Sequence, residues 1–172
     1  TEKDMIMDKD NMIVISPDEG ALDRAVYFAN VLGVNTGMFY KRRDYSTIIE
    51  GKNPIVAHEF LGENIDGKDV IVIDDMISSG GSMIDTAKEL KKRGAKDVYI
   101  FATFGLFTNG LEKFDEAYKQ GYFTKLIGTN AVYHGDDLLN KEWYVSASVS
   151  DLFARIISRL HQNRPITPVV DN

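Results

Sequence analysis

The sequence predicts an α/β protein: a parallel sheet flanked by helices on both faces. Three observations carry that expectation. Short apolar runs alternate with segments of helical periodicity along most of the chain. The run Val70-Ile71-Val72-Ile73 is apolar and β-branched at every position, as a strand buried on both faces requires. Gly33, Gly94 and Gly121 each follow a helical segment, where a left-handed residue ends a helix at least cost.

Element by element, Met12–Ile15 reads as a short buried strand and Ser16–Gly20 as a turn. Leu22, Ala25, Val26, Ala29 and Leu32 follow helical spacing up to Gly33. Thr36–Tyr40 fits a second strand. Lys41-Arg42-Arg43-Asp44 then opens a polar segment that reads as a loop, and 54–62 holds room for another short strand. After the turn at 64–69 the Val70–Ile73 strand ends on Asp74-Asp75, and Met83, Ile84, Ala87 and Leu90 form the face of the next helix. Lys91, Lys92 and Arg93 occupy its last turn, favourable at the negative end of the helix dipole. Val98–Phe104, Lys125–Thr129 and Trp143–Val145 read as strands, with a helix on Leu111, Phe114 and Tyr118. Val149, Leu152, Phe153, Ile156, Ile157 and Leu160 make the cleanest helical stripe. The expected organisation is one domain over residues 1–162 with a polar tail over 163–172.

The chain of 172 residues carries a formal charge of −6, which argues against a general nucleic-acid binder. It has no cysteine, which rules out disulfides and thiolate metal sites and fits a cytoplasmic protein. No apolar run approaches the ~20 residues of a membrane span, so no membrane partner is expected. His58, His134 and His161 are too scattered for a histidine metal site and read as structural or surface residues.

Chemistry concentrates at Asp74–Ser82. Gly80 and Gly81 let backbone amides approach a ligand, Ser78, Ser79 and Ser82 add hydroxyls, and a helix N-terminus follows: a phosphate site. The plain alternative is a tight turn capped by serine. Asp74 and Asp75 tip the balance, because adjacent carboxylates at the end of a buried strand repel each other and lose hydration. A vicinal diol or a divalent metal would relieve them. A phosphate site beside a diol site suits a ribose 5-phosphate. The loop lacks the Gly-Lys-Ser/Thr ending of a P-loop and the Gly-x-Gly-x-x-Gly of a dinucleotide site. Asp18, Glu19 and Gly20 form a second turn entering a helix, where Asp18 suits either an N-cap or a metal. Lys41 and Arg43 stand beyond another strand, placed to stabilise charge in phosphoryl transfer. Because ligands gather at the carboxyl ends of parallel strands, these three segments should share one edge.

Asp74-Asp75-Met76-Ile77-Ser78-Ser79-Gly80-Gly81-Ser82 resembles the phosphoribosyl-diphosphate (PRPP) loop of type I phosphoribosyltransferase folds. Together with Ser16-Pro17-Asp18-x-Gly20, Lys41-Arg42-Arg43 and Lys92-Arg93-Gly94-Ala95-Lys96, it resembles the second half of the ribose-phosphate pyrophosphokinases. The resemblance implies transfer of diphosphate from ATP to O1 of ribose 5-phosphate, giving PRPP for nucleotide biosynthesis. It also implies Lys41 as the catalytic lysine with Arg43 beside it, Ser78–Ser82 on the 5-phosphate, Asp74 with Asp75 on the sugar hydroxyls, and Asp18 on Mg2+ near the pyrophosphate. A homo-oligomer is implied for the full-length enzyme. An N-terminal half that supplies most of the ATP site is implied to be missing here, so that this chain alone would be weakly active or inactive. Ser78 replaces an aspartate usual in that family, Ser79 and Ser82 replace threonines, Ala21 replaces a glycine, Phe104 stands near a common histidine, and the stretch from Arg43 to Val70 is long. Two other readings remain open: a phosphoribosyltransferase joining a base to PRPP, and a non-catalytic subunit associated with a PRPP synthetase.

Overall fold

The structure, a computed structural model, describes residues 8–43 and 55–170, with the side chains of 41–43 and 55–58 outside that description. The elements are β1 (Met12–Ser16), α1 (Leu22–Leu32), β2 (Asn35–Arg43), β3 (Ile55–Leu61), β4 (Asp69–Ile77), α2 (Gly81–Lys92), β5 (Val98–Gly105), α3 (Glu112–Lys119), β6 (Lys125–Thr129), α4 (Asp136–Leu139), β7 (Tyr144–Ala147), α5 (Ser150–His161) and α6 (Thr167–Val170). The strands form one sheet in the order β3-β2-β1-β4-β5-β6-β7. Every pair is parallel except β2 with β3, which is antiparallel at the edge.

Strands β1 and β4 are apolar at consecutive positions because both of their faces are covered. Ile13, Ile15, Val70 and Val72 point one way, into a core with Met83, Ala87 and Leu90 of α2 and Phe114 and Ala117 of α3. Met12, Val14, Ile71 and Ile73 point the other way, onto Ala25 and Ala29 of α1. Small residues on α1 let that helix lie close against the sheet. Its other side leaves Tyr27 and Val31 exposed, 63% and 64% accessible. The stripe on α5 is also exposed at Leu152, Phe153, Ile157 and Leu160, so its periodicity builds a helix without building core here. The tail beyond α5 includes the short α6, and Arg159 donates to the carbonyl of Pro165 at 3.0 Å. Among the described residues no helix is long and apolar enough to cross a membrane.

Two expectations need correction. β4 does not end at Asp74-Asp75 but runs through Ile77, because β5 keeps pairing with it as far as Ile77 and Gly105. On its other edge the register with β1 stops at Ile15 and Val72, so the acidic pair lies on a strand with one free edge. The basic run itself lies on a strand; the polar segment expected after it, from Asp44 to about Asn53, falls outside the described residues. Lys41, Arg42 and Arg43 continue the backbone of β2, opposite His58, Ala57 and Ile55 of β3.

Asp115 pins α3 to the segment that enters β7. Its carboxylate accepts from Trp143 Nε1 at 2.8 Å and from Lys141 Nζ at 2.6 Å. Burial pushes its pKa up, but these two donors outweigh burial and hold it below the usual carboxylate value. Asp115→Ala strands the indole N–H of a side chain only 2% exposed. A loss of about 2 kcal/mol is expected, read by urea unfolding at pH 7. Since the folded carboxyl is the stronger acid, this contribution is present at neutral pH and fades as pH falls below 4.

Candidate functional site

The first part of the site is built at the carboxyl end of β1. Pro17 turns the chain, and Asp18 caps the 3-10 turn Glu19–Ala21 with Oδ1 accepting from Gly20 N at 3.1 Å and Ala21 N at 3.3 Å. Ser16 Oγ donates to the Asp18 carbonyl at 2.6 Å and fixes the turn from below. The N-cap role expected for Asp18 is thus present. Glu19 and Gly20 are exposed on the same turn.

The second part is the free edge of β4. Asp74 is partly buried, and Asp75 is exposed. Asp75 N–H donates to Asp74 Oδ1 at 2.8 Å. Burial, helped by the neighbouring charges of Asp75 and Asp18, raises the Asp74 pKa to about 6. Asp75 moves the opposite way, lowered by its hydrogen bond to Asp74 and by the Arg24 guanidinium. The effect of Asp18 on Asp74 marks the β1 turn and the acidic pair as one electrostatic cluster.

Ser78 to Ser82 follow directly. Gly80 sits at φ 78°, the left-handed region, and is the N-cap of α2 with no side-chain cap bond. A Cβ there would overlap the Phe114 ring, so glycine is required for space as well as for backbone. The serine expected as a possible cap does not fill that role. The β5–α3 connection straps the loop from behind, with Leu106 N donating to Ile77 O at 2.8 Å and Thr108 N to Ser78 O at 3.0 Å. Asp74, Met76, Ser78, Ser79, Gly80 and Ser82 face a cavity of about 170 Å³, a volume suited to a phosphate and part of a sugar. Asp74 also closes one end of an apolar groove of about 240 Å³ floored by Phe101, Ile127 and Thr129 and walled by Phe28. A larger cavity of about 510 Å³ is lined only by residues of α5, α6 and their connection, and belongs to neither.

The structure therefore brings Asp18, Glu19, Gly20, Asp74, Asp75 and Ser78–Ser82 to one edge of the sheet. The backbones of Lys41 and Arg43 lie on β2, whose register pairs Met38 with Ser16, so they continue past that edge, while their side chains lie outside the described residues. Sequence reasoning missed Arg24. Its Nη1 is 3.4 Å from Asp74 Oδ1 and its Nη2 is 3.4 Å from Asp75 Oδ2. A lone arginine on a helix carries no signal by itself. Missed too was Thr108, whose Oγ1 is 3.5 Å from Ser78 Oγ. Among the described residues no group of three or more His, Asp or Glu side chains clusters as a metal site. Chemically the arrangement offers carboxylate acceptors for hydroxyls, backbone amides and hydroxyls for an oxyanion, and hard oxygens for one divalent cation in a single small space.

Residues 2–136 match the family model for the phosphoribosyl transferase domain. The chain is 31% identical over 163 residues to ribose-phosphate pyrophosphokinase 2 of Enterococcus faecalis, covering 94% of this chain and 47% of that protein. It is 39% identical over 118 residues to the ribose-phosphate pyrophosphokinase of Thermococcus kodakarensis, covering 68% of this chain and 40% of that protein. Among solved structures, the phosphoribosylpyrophosphate synthetase of Mycobacterium smegmatis superposes with a TM-score of 0.74 at 28% identity, over 91% of this chain and 47% of that one. The chain thus spans about half the length of the curated relatives it matches. With its fold, its Asp-Asp loop and a family match over most of its length, the chain belongs to the phosphoribosyl transferase domain family, and the relatives it resembles there are ribose-phosphate pyrophosphokinases.

Proposed function

We propose that this chain is the ribose 5-phosphate-binding, catalytic unit of a ribose-phosphate pyrophosphokinase. The reaction moves diphosphate from ATP to O1 of ribose 5-phosphate, giving PRPP and AMP. The observation that carries this reading is that Asp74, Ser78, Ser79, Gly80 and Ser82 line one cavity, with Asp75 next to Asp74 and the Asp18 turn beside them. Ser78–Ser82 take the 5-phosphate through amides and hydroxyls. Asp74, assisted by Asp75, accepts hydrogen bonds from the sugar hydroxyls and turns O1 toward β1. Lys41 and Arg43, whose backbones lie on β2, are assigned the role of offsetting charge on the moving phosphoryl groups. The turn Asp18-Glu19-Gly20 receives the diphosphate.

A divalent cation fits this donor set in a limited way. Asp18 Oδ1 is already shared by two amides, so the chain can give Mg2+ a carboxylate but not a cage. That matches Mg2+, which usually takes one or two carboxylates and completes its shell with phosphate oxygens and water. When bound, it would neutralise diphosphate charge. Most of the ATP site is assigned to the remaining half of the relatives' length, the N-terminal part, and the full-length enzyme is expected to act as a homo-oligomer in the cytoplasm.

The test has two stages. Titration of the 172-residue chain with ribose 5-phosphate should give weak saturable binding, on the order of millimolar, while ATP with Mg2+ gives little or no PRPP. Robust PRPP formation by this chain alone would contradict the split of the ATP site. In the full-length enzyme, Lys41→Ala should lower kcat by at least about 100-fold with a small change in ribose 5-phosphate KM. Unchanged turnover would favour a non-catalytic subunit.

A further inference from the structure

Arg24 has no assigned role, and its geometry gives it one. Successive side chains on a strand point to opposite faces, so one group rarely reaches two neighbours. Arg24 does so because β1 has ended and left that edge of β4 open. Its two terminal nitrogens divide between the residues, Nη1 to Asp74 and Nη2 to Asp75, both at 3.4 Å. Arg24 Nη1 and the Asp75 N–H both donate to Oδ1 of Asp74. That fixes the rotation of the carboxylate. Arg24 comes from α1, six residues after Asp18, so the same short segment carries the turn beside β1 and the clamp on β4.

We propose that Arg24 is a positioning residue for sugar recognition. Its planar fork holds Asp74 and Asp75 in the one arrangement that accepts a vicinal diol, and the preference for ribose over deoxyribose at this site depends on it. A lysine keeps the charge but lacks the fork and cannot span both carboxylates. The inference rests on reading this cavity as the ribose 5-phosphate site.

NMR titration of the 172-residue chain with ribose 5-phosphate, 2-deoxyribose 5-phosphate and inorganic phosphate tests it, with Arg24→Gln and Arg24→Lys alongside. Wild type should favour ribose 5-phosphate over the deoxy sugar by about tenfold. In Arg24→Gln that preference should collapse to about twofold or less, while inorganic phosphate affinity stays within about twofold. Arg24→Lys should recover less than half of the lost preference on a logarithmic scale. An unchanged sugar preference in Arg24→Gln overturns the proposal, as does equal loss for sugar and inorganic phosphate. If Arg24→Gln proves unfolded by its amide dispersion, Arg24→Lys decides: full wild-type preference there overturns the fork. Wild-type chain that binds none of the three compounds refutes the reading of the site itself, and the inference falls with it.

Discussion

Gly80→Ala is expected to destabilise the protein by about 2–5 kcal/mol, the largest single-residue effect at the site. Two penalties add. The left-handed backbone at φ 78° costs a residue with a Cβ about 1–2 kcal/mol. The methyl also meets the Phe114 ring, which is fully buried against Phe107 and Trp143 and has no room to retreat. Forcing a methyl into a packed core costs about 1–3 kcal/mol more. Gly81, the next residue, has nothing within 4 Å of an added Cβ and lies in α2. Gly81→Ala should therefore stay within about 0.5 kcal/mol of wild type. Urea unfolding of the pair separates a glycine needed for shape from one that is not. The double variant Gly80→Ala/Phe114→Leu should lose less than the two single changes summed, since they share one contact. Strict additivity would place the cost in the backbone alone.

Asp74→Asn is expected to abolish ribose 5-phosphate binding by the chain while making the fold more stable at neutral pH. The sign follows from the raised pKa of Asp74, about 6 against an ordinary value of 3.8. The folded state holds this proton more tightly than the unfolded chain does. Stability from that proton is complete below the ordinary value, falls as pH rises through about 6, and is then lost. Asparagine keeps the shape and removes the buried charge. After allowance for partial exposure and for Arg24, about 1 kcal/mol remains, or a Tm rise of about 2–4 °C at pH 7.5. The two proteins should converge near pH 4. A Tm below wild type at pH 7.5 would mean that Arg24 more than offsets the burial of Asp74.

Much of the fold was legible because it is local. The β-branched run at Val70–Ile73, the 3.6-residue spacing at Met83–Leu90 and the glycine ends are set by neighbours in sequence. Strand ends were not, because they depend on partners. β4 outlasts its apolar run since β5 continues beside it, and β2 extends through Lys41–Arg43 since β3 returns along it. The site was legible where its residues are contiguous, from Asp74 to Ser82. Arg24 reaches the acidic pair from fifty residues away, and nothing in its local pattern points there. The stripe on α5 shows the converse limit: apolar periodicity specifies a face, not what that face meets.

The pairing of β1 with β4 has a consequence for how the site comes together as the chain folds. The unit β4–α2–β5 closes through short connections and contains Asp74 and the whole serine–glycine loop. Asp18 and Arg24 arrive only when a much longer loop closes, from α1 across β2 and β3 to β4. Loop closure becomes costlier only slowly with length, by about 0.6 kcal/mol per doubling. The long stretch between Arg43 and Val70 therefore weighs little on final stability, but it raises the contact order of the clamp and not of the loop. Asp74 and the serine–glycine loop are thus joined by contacts close in sequence, whereas Asp18 and Arg24 join them only through long-range contacts.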